Sequence, residues 1–493
     1  MVFNSFAFFV FFPIVTIVYF ALSHRWRWAW LLATSCVFYM YFIPKYILIL
    51  AFTIVVDYAA GIAIEGARGR ARRLYLLASI VANVGVLAFF KYINFINDNL
   101  AALAQALGWH YPVPSLAIIL PIGLSFHTFQ AMSYTFEVYY GRQTAERHFG
   151  LYALYVMFYP QLVAGPIERP QSLLHQFRDV HTFDYARVTS GLRRMAWGLF
   201  KKAVVADRLA WVVNQVYAEP ARFPGPVLLV ATVFFAFQIY NDFSGYSDIA
   251  IGAARVMGFT LRQNFDSPYQ ATSTAAFWRR WHMSLSTWFR DYVFRPLKAA
   301  LDARHPANGR PDFAAYAWAV AVTFVLSGLW HGANWTFVVW GALNGAYLIA
   351  SPLTAPAREW VAARVGLASR PAARSVVAAA LTFALITFTW IFFRARSMHE
   401  AGLVCLGLLS GWRQLWPLSS GARMFAGVGL TVAAAGVVGA IAVECVHARD
   451  RRARVSDWLT AQPWWLRWAV YYAGVASLYF LYANEGQFIY FQF

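Results

Sequence analysis

Residues 313–357 read FAAYAWAVAVTFVLSGLWHGANWTFVVWGALNGAYLIASPLTAPA, a stretch without a single aspartate, glutamate, lysine or arginine. A membrane helix needs about 20 consecutive apolar residues, so the stretch predicts two membrane spans that meet near His331. An imidazole at that depth loses its hydration and requires either a bonding partner or a function. Position alone leaves both interpretations open, a histidine bonded to a neighbouring carbonyl inside a helix bundle and a functional group.

The composition extends the membrane prediction to the whole chain. Hydrophobic residues make up 60% of the 493 residues and charged residues 13%, whereas soluble domains carry about 25% charged residues. Apolar runs recur from one end of the sequence to the other. We therefore expect an all-α polytopic membrane protein of about ten to twelve spans, some of them re-entrant.

Arginines between the apolar runs predict the orientation of the chain. They cluster at 25–27, 68–73 and 449–454, while the stretch 92–118 contains Asp98 as its only charged residue. The positive-inside rule places the three arginine-rich loops in the cytoplasm and the stretch 92–118 outside. Both termini are then predicted to lie on the external or periplasmic side.

The net charge of +19 and the three cysteines narrow the function classes. The basic residues flank apolar runs instead of lining a soluble domain, so attraction to anionic lipid is favoured over nucleic-acid binding. A basic cytoplasmic face would also attract an acidic carrier protein or the phosphates of a nucleotide cofactor. Cys36, Cys405 and Cys445 are isolated, which predicts packing residues and neither a metal site nor a disulfide.

The segment 277–296, FWRRWHMSLSTWFRDYVFRP, is the first of three segments that could carry chemistry. At 100° per residue it predicts one amphipathic helix with aromatic residues on one face and arginines on the other. His282 falls on the apolar face, one turn from Trp278 and Ser286, where a solvated histidine is not expected. The alternative is an interfacial histidine that snorkels beside tryptophans.

The segments 237–252 and 327–341 are the other two segments that could carry chemistry. The first, FQIYNDFSGYSDIAIG, predicts a polar pocket or a broken helix, in which Asp242 or Asp248 orients a histidine, holds a cofactor or merely caps a helix. In the second, Gly328 and Gly332 flank His331 and predict a narrow substrate space beside the imidazole. Irregular backbone that lines a cavity is further predicted at 120–130, which contains His127, and at 159–170.

Together these blocks resemble the membrane-bound O-acyltransferase family, in particular its alginate O-acetyltransferase branch. The resemblance rests on FPIVTIVYF (12–20), FYPQLVAGPIERP (158–170), DFSGYSDIAIG (242–252), FWRRWHMSLSTWFRDYVFRPL (277–297), FVLSGLWHGANWTFVVWG (324–341) and the terminal FIYFQF (488–493). It covers essentially the whole chain, as one membrane domain with N-terminal helices (1–165), a catalytic core (166–350) and C-terminal helices with an aromatic tail (351–493).

The resemblance implies both an activity and a fold, a helical bundle around a central tunnel. An acyl group, acetyl in this branch, would pass from a cytoplasmic thioester donor across the bacterial inner membrane to an exopolysaccharide or another envelope polymer. The donor would be acetyl-CoA or an acyl carrier protein bearing phosphopantetheine, without a bound metal. A periplasmic hydrolase-like transferase would complete delivery to the polysaccharide.

The resemblance also assigns roles to residues. His331 corresponds to the invariant histidine and His282 to the second histidine of the bacterial branch. We expect His331 to act as the general base and His282 to position the donor carbonyl or assist proton transfer. Tyr490 in the aromatic tail is predicted to be an acyl relay. The residues expected to bind substrate are Asp242, Asp248, Trp278, Arg279, Arg280, Ser286, Arg290, Asn334 and Trp335.

Two further function classes remain open at this point. A multi-pass transporter could use His127, His282, His331, Asp242 and Asp248 as a proton relay, although no paired repeat with broken helices supports it. A structural subunit of a secretion complex would need neither histidine.

Overall fold

The computed structural model describes residues 1–304, 312–415, 430–450 and 459–481, and this part of the chain is helical without a β-strand. The helices are α1 (Phe6–Ala21), α2 (His24–Met40), α3 (Ile47–Gly66), α4 (Gly69–Ala106), α5 (Leu124–Tyr139), α6 (Phe149–Met157), α7 (Tyr159–Leu162), α8 (Pro170–Leu173), α9 (Tyr185–Leu199), α10 (Asp207–Ala218), α11 (Gly225–Met257), α12 (Thr274–Trp278), α13 (Met283–Phe289), α14 (Arg295–Arg304), α15 (Phe313–His331), α16 (Trp335–Leu353), α17 (Ala355–Arg364), α18 (Pro371–Arg394), α19 (Met398–Gly407), α20 (Leu430–Asp450) and α21 (Trp464–Leu481).

Six of the helices in the described residues are long and apolar enough to cross a membrane. They are α3 with the turn before it, α4, α11, α15, α16 and α18. The predicted all-helical, multi-pass membrane fold is thereby confirmed. The number of ten to twelve spans and the central tunnel stay predictions.

The chain packs as two compact units. The N-terminal unit comprises residues 1–195 and 246–263, and the C-terminal unit comprises 196–245 and 264–493. The two units are defined by packing and not by function. They therefore do not test the predicted functional division at residues 165 and 350, which stays a prediction.

In the N-terminal unit, α3 packs on α4 and α5 around a buried polar cluster. Ser79 Oγ on α4 donates to Asp57 Oδ1 on α3 at 2.6 Å, and Asn83 Nδ2 donates to the same carboxylate at 2.8 and 2.9 Å. The predicted irregular backbone is also found here, because all residues from 151 to 170 are buried while α7 lasts only four residues. The break predicted at 120–130 is the start of α5, where Gly123 has a φ of 76°.

In the C-terminal unit, the charge-free stretch forms two long helices, α15 and α16, joined by a short turn, as the sequence predicts. Asp312 caps α15 by accepting from Ala314 N, and Asn334 caps α16 by accepting from Thr336 N. The two helices pack along each other at glycines. A Cβ on Gly328 would lie 2.2 Å from Phe337 O, so only glycine permits this approach.

Two predictions about local structure are wrong. Residues 277–296 do not form one helix, because α12 ends at Trp278, a turn follows, and α13 gives way to a π-helical turn at Arg290–Phe294. Of the two alternatives for residues 237–252, the broken helix is wrong, since α11 runs unbroken through them, while the polar pocket stays a prediction. Gly245 there instead lets the π-helical segment Phe200–Ala206 and the residues before it pack closely, with Gly198 O 2.7 Å from the position of a Cβ.

Candidate active site

His331 is the last residue of α15 and lies buried among aromatic rings of the C-terminal unit. Its side chain is about 5% exposed. The centroid of its ring lies 4.9 Å from that of Trp330, 5.0 Å from that of Trp340 and 5.1 Å from that of Phe393. All three contacts are edge-on, an arrangement that fixes the plane of the imidazole.

His282 lies in the turn between α12 and α13 and is even more deeply buried, at 1% exposure. Its ring contacts Phe243 at 4.6 Å, Phe265 at 6.4 Å and Trp330 at 6.1 Å between centroids. Trp330 therefore contacts both imidazoles. The structure brings together the two histidines that the sequence analysis selected 49 positions apart (331 − 282).

The surroundings of His282 keep its ring neutral. Burial lowers the pKa of His282 from 6.5 to about 3, because the rings that contact it offer no charge to stabilise an imidazolium. Its Nδ1 lies 3.2 Å from Asn264 Oδ1. A neutral imidazole is the form that can accept a proton.

The two predicted carboxylates take part in ion pairs. Lys202 Nζ lies 2.6 Å from Asp242 Oδ1 and 2.9 Å from Asp207 Oδ1, all three side chains being buried in the C-terminal unit. In the N-terminal unit, Arg194 Nε lies 2.9 Å from Asp248 Oδ1. These pairs give both carboxylates a structural role, and their part in substrate binding stays a prediction.

Several other predicted residues serve the local structure. Asn334 caps α16 and donates from Nδ2 to Arg396 O at 2.8 Å, while Ser286 Oγ donates to Trp281 O at 3.0 Å. Trp278 packs on Trp340, a neighbour of His331. Trp335 is 53% exposed, and its part in substrate binding stays a prediction. A Cβ on Gly332 would lie 2.1 Å from the ring of Phe337, so this glycine makes room for that ring, and the substrate space expected beside the imidazole stays a prediction.

Of the predicted basic residues, Arg279 and Arg280 belong to the turn that contains His282, and Arg290 begins the π-helical turn after α13. Arg279 and Arg290 are exposed and Arg280 is half-buried. Arg290 pairs with Asp291 at 2.9 Å. Tyr490 lies outside the described residues. The described residues contain no group of three or more histidine, cysteine, aspartate or glutamate side chains suited to a metal ion.

Three contributors to the site escaped the sequence analysis. Asn264 and Phe243 reach His282 from distant positions, and nothing in the local pattern of either residue indicates it. Lys202 gave a signal that was missed, since KK at 201–202 interrupts an apolar run. Paired lysines inside such a run predict buried partners of opposite charge.

Fold and site together define a multi-pass membrane protein that buries two histidines in its C-terminal unit. A family model described as MBOAT, membrane-bound O-acyltransferase family, matches residues 148–365. The chain is 36% identical over 405 residues to the probable alginate O-acetylase of Pseudomonas aeruginosa, which covers 81% of this chain and 73% of that protein. It is 31% identical over 414 residues to the peptidoglycan O-acetyltransferase of Helicobacter pylori, which covers 77% of this chain and 73% of that protein.

A more distant similarity is to the teichoic acid D-alanyltransferase of Bacillus subtilis, 25% identical over 297 residues, which covers 59% of this chain and 72% of that protein. The chain belongs to the membrane-bound O-acyltransferase family. It is an O-acyltransferase, so the enzyme is preferred over the transporter and the structural subunit. The resemblance stated from the sequence is confirmed.

Proposed function

We propose that this enzyme moves an acetyl group from a cytoplasmic thioester, acetyl-CoA or an acetylated carrier protein, across the bacterial inner membrane to hydroxyl groups of an exopolysaccharide. The observation that supports this most directly is the pair of buried imidazoles that both contact Trp330. Two of the relatives described above are named for the O-acetylation of alginate and of peptidoglycan. A periplasmic transferase would act as the partner on the outer face.

His331 is the general base in this proposal. It takes the proton of the attacking hydroxyl as the oxygen bonds to the thioester carbonyl carbon, and the carbon–sulfur bond then breaks. The proton then moves from the imidazolium to the thiolate, so the histidine is restored in each turnover. His282 either positions the donor carbonyl or assists the proton transfer.

The test is thiol release by the purified protein in detergent, offered acetyl-CoA and then acetyl-loaded carrier protein with a polysaccharide acceptor. We expect His331→Ala to retain its thermal unfolding transition and to lose about 10²-fold or more of its activity. His399→Ala, at an exposed histidine of α19, is the matched control and should remain active. Undiminished release by a folded His331→Ala protein would contradict the role of this residue.

A further inference from the structure

The backbone of His282 adopts a conformation that non-glycine residues rarely take. Its φ and ψ are 42° and 55°, in the left-handed region, and among the described non-glycine residues only Ser267 shares a positive φ. Such strain persists where surrounding contacts hold it, and it concentrates at functional sites. The contacts that hold His282 therefore show how its side chain is used.

Asn264 supplies these contacts through both its backbone and its side chain. Its carbonyl oxygen accepts from Met283 N at 2.8 Å, on one side of the strained residue. Its Oδ1 accepts from Ser284 N at 3.2 Å and from Ser284 Oγ at 2.9 Å. A backbone N–H can only donate, so the side-chain atom that faces Ser284 is the oxygen of the amide and not its nitrogen.

The orientation of the amide fixes the tautomer of the histidine. His282 Nδ1 lies 3.2 Å from the same oxygen, which cannot donate, so Nδ1 must carry the proton of this hydrogen bond. In a neutral ring the lone pair then lies on Nε2. The rings of Phe243, Phe265 and Trp330 that face the imidazole carry no charge that would change this state.

We infer that Asn264 is a positioning residue that holds His282 as the Nδ1–H tautomer, so that Nε2 serves as a proton acceptor during acyl transfer. This inference rests on the proposed function and decides between the two roles left open for His282. In a neutral Nδ1–H ring, Nε2 has no proton to donate to the thioester carbonyl. The ring therefore cannot position the carbonyl through a hydrogen bond from Nε2, and assisting the proton transfer is the role that remains for His282. Nε2 accepts the hydroxyl proton from the His331 imidazolium and passes it on to the departing thiolate sulfur, so both rings return to their starting states.

The tautomer can be measured without any turnover. In protein labelled with ¹⁵N-histidine, the signals that disappear in His282→Gln belong to His282. We expect them to show a protonated Nδ1 and an unprotonated Nε2 at neutral pH, and to change in Asn264→Ala. A proton on Nε2 in the unaltered protein would overturn the inference, whatever the activity of the enzyme.

Thiol release then tests whether the tautomer matters for catalysis. Asn264→Asp keeps an acceptor oxygen beside Nδ1 and adds a charge that favours the imidazolium, so the acid limb of its pH profile should move to higher pH. Asn264→Ala should lose about 10²-fold in kcat with little change in the KM of the donor. A merely structural role would lower stability in both variants without moving the pH profile.

Asn344 provides the matched control, because it is as deeply buried as Asn264 and its Nδ2 bonds Trp340 O within α16. Asn344→Ala should cost stability and leave the acid limb in place. If Asn264→Ala does not fold, the aspartate variant and the ¹⁵N signals still decide the inference. Absence of thiol release from the unaltered protein would instead count against the proposed function, so the two failures are distinguishable.

Discussion

Glu168 is a buried carboxylate whose protonation should make the stability of this protein depend on pH. Burial raises its pKa from 4.5 to about 7, an effect that the backbone N–H and the guanidinium of Arg262 partly offset. Those groups lie 2.5 Å from Oε1 and 3.5 Å from Oε2. The pKa of Glu168 is higher in the folded than in the unfolded protein. Its contribution to the free energy of unfolding is therefore fully present below pH 4.5 and is lost as the pH rises through about 7.

Glu168→Gln, which resembles the protonated form, should reveal this loss. We expect the variant and the unaltered protein to unfold at similar temperatures at pH 5. At pH 8 the variant should be more stable by roughly 3 kcal/mol, from about 2.5 pKa units at 1.36 kcal/mol each. Thermal unfolding in detergent measures the difference, with Glu219→Gln at an exposed side chain as control. An equal difference at both pH values would contradict the prediction.

At the scale of single residues, burial was predictable where the neighbouring residues in the sequence are apolar. His331 stands in a charge-free stretch and His282 on the apolar side of an amphipathic pattern, and both are buried in the structure. Asn264 was not predictable, since its function arises from a turn that brings it to His282, 18 positions later along the chain. Hydrophobic periodicity describes one element at a time and contains no information about such a contact.

At the scale of helices, the contact between α15 and α16 depends on glycine. The Cβ of Gly328→Ala would meet the backbone oxygen of Phe337 at 2.2 Å, and backbone cannot move aside as a flexible side chain can. We expect the variant to lose about 1–3 kcal/mol of stability, as overpacked sites do, and to lose thiol release as Trp330 shifts. Gly402→Ala in α19, where a Cβ meets nothing within 4 Å, should unfold at the same temperature or slightly higher. Equal thermal stability of the two variants would argue against close packing at Gly328.

Whole helices were predictable wherever apolar length alone decides, as in α15 and α16. The errors arose where tertiary contacts override the local pattern. The sequence of 277–296 has helical periodicity, yet the hydrogen bonds of Asn264 to Met283 and Ser284 hold a left-handed residue in its middle. The polar segment 237–252 looked like a break, yet Lys202 neutralises Asp242 and lets α11 continue through it.

At the scale of the whole molecule, the described structure confirms a helical multi-pass protein, whereas its orientation in the membrane remains a prediction from arginine positions. Helix α4 is the best place to test it. At 1.5 Å per residue its 38 residues extend about 57 Å, more than the about 40–45 Å of a complete bilayer. Arginines crowd its first turns, and the segment after its last turn is free of lysine and arginine as far as Leu120.

Single cysteines in the first turn of α4 and in the segment that follows its last turn should therefore react from opposite sides of the membrane. With Cys36, Cys405 and Cys445 replaced, a membrane-impermeant maleimide should label Ser115→Cys in spheroplasts and label Ala71→Cys only after lysis. Both positions are exposed, so accessibility within the protein does not decide the outcome. The expected result would place the arginine-rich end on the side of the anionic thioester donor, as transfer across the membrane requires. The reverse labelling would place the donor side and the acceptor side opposite to the proposal.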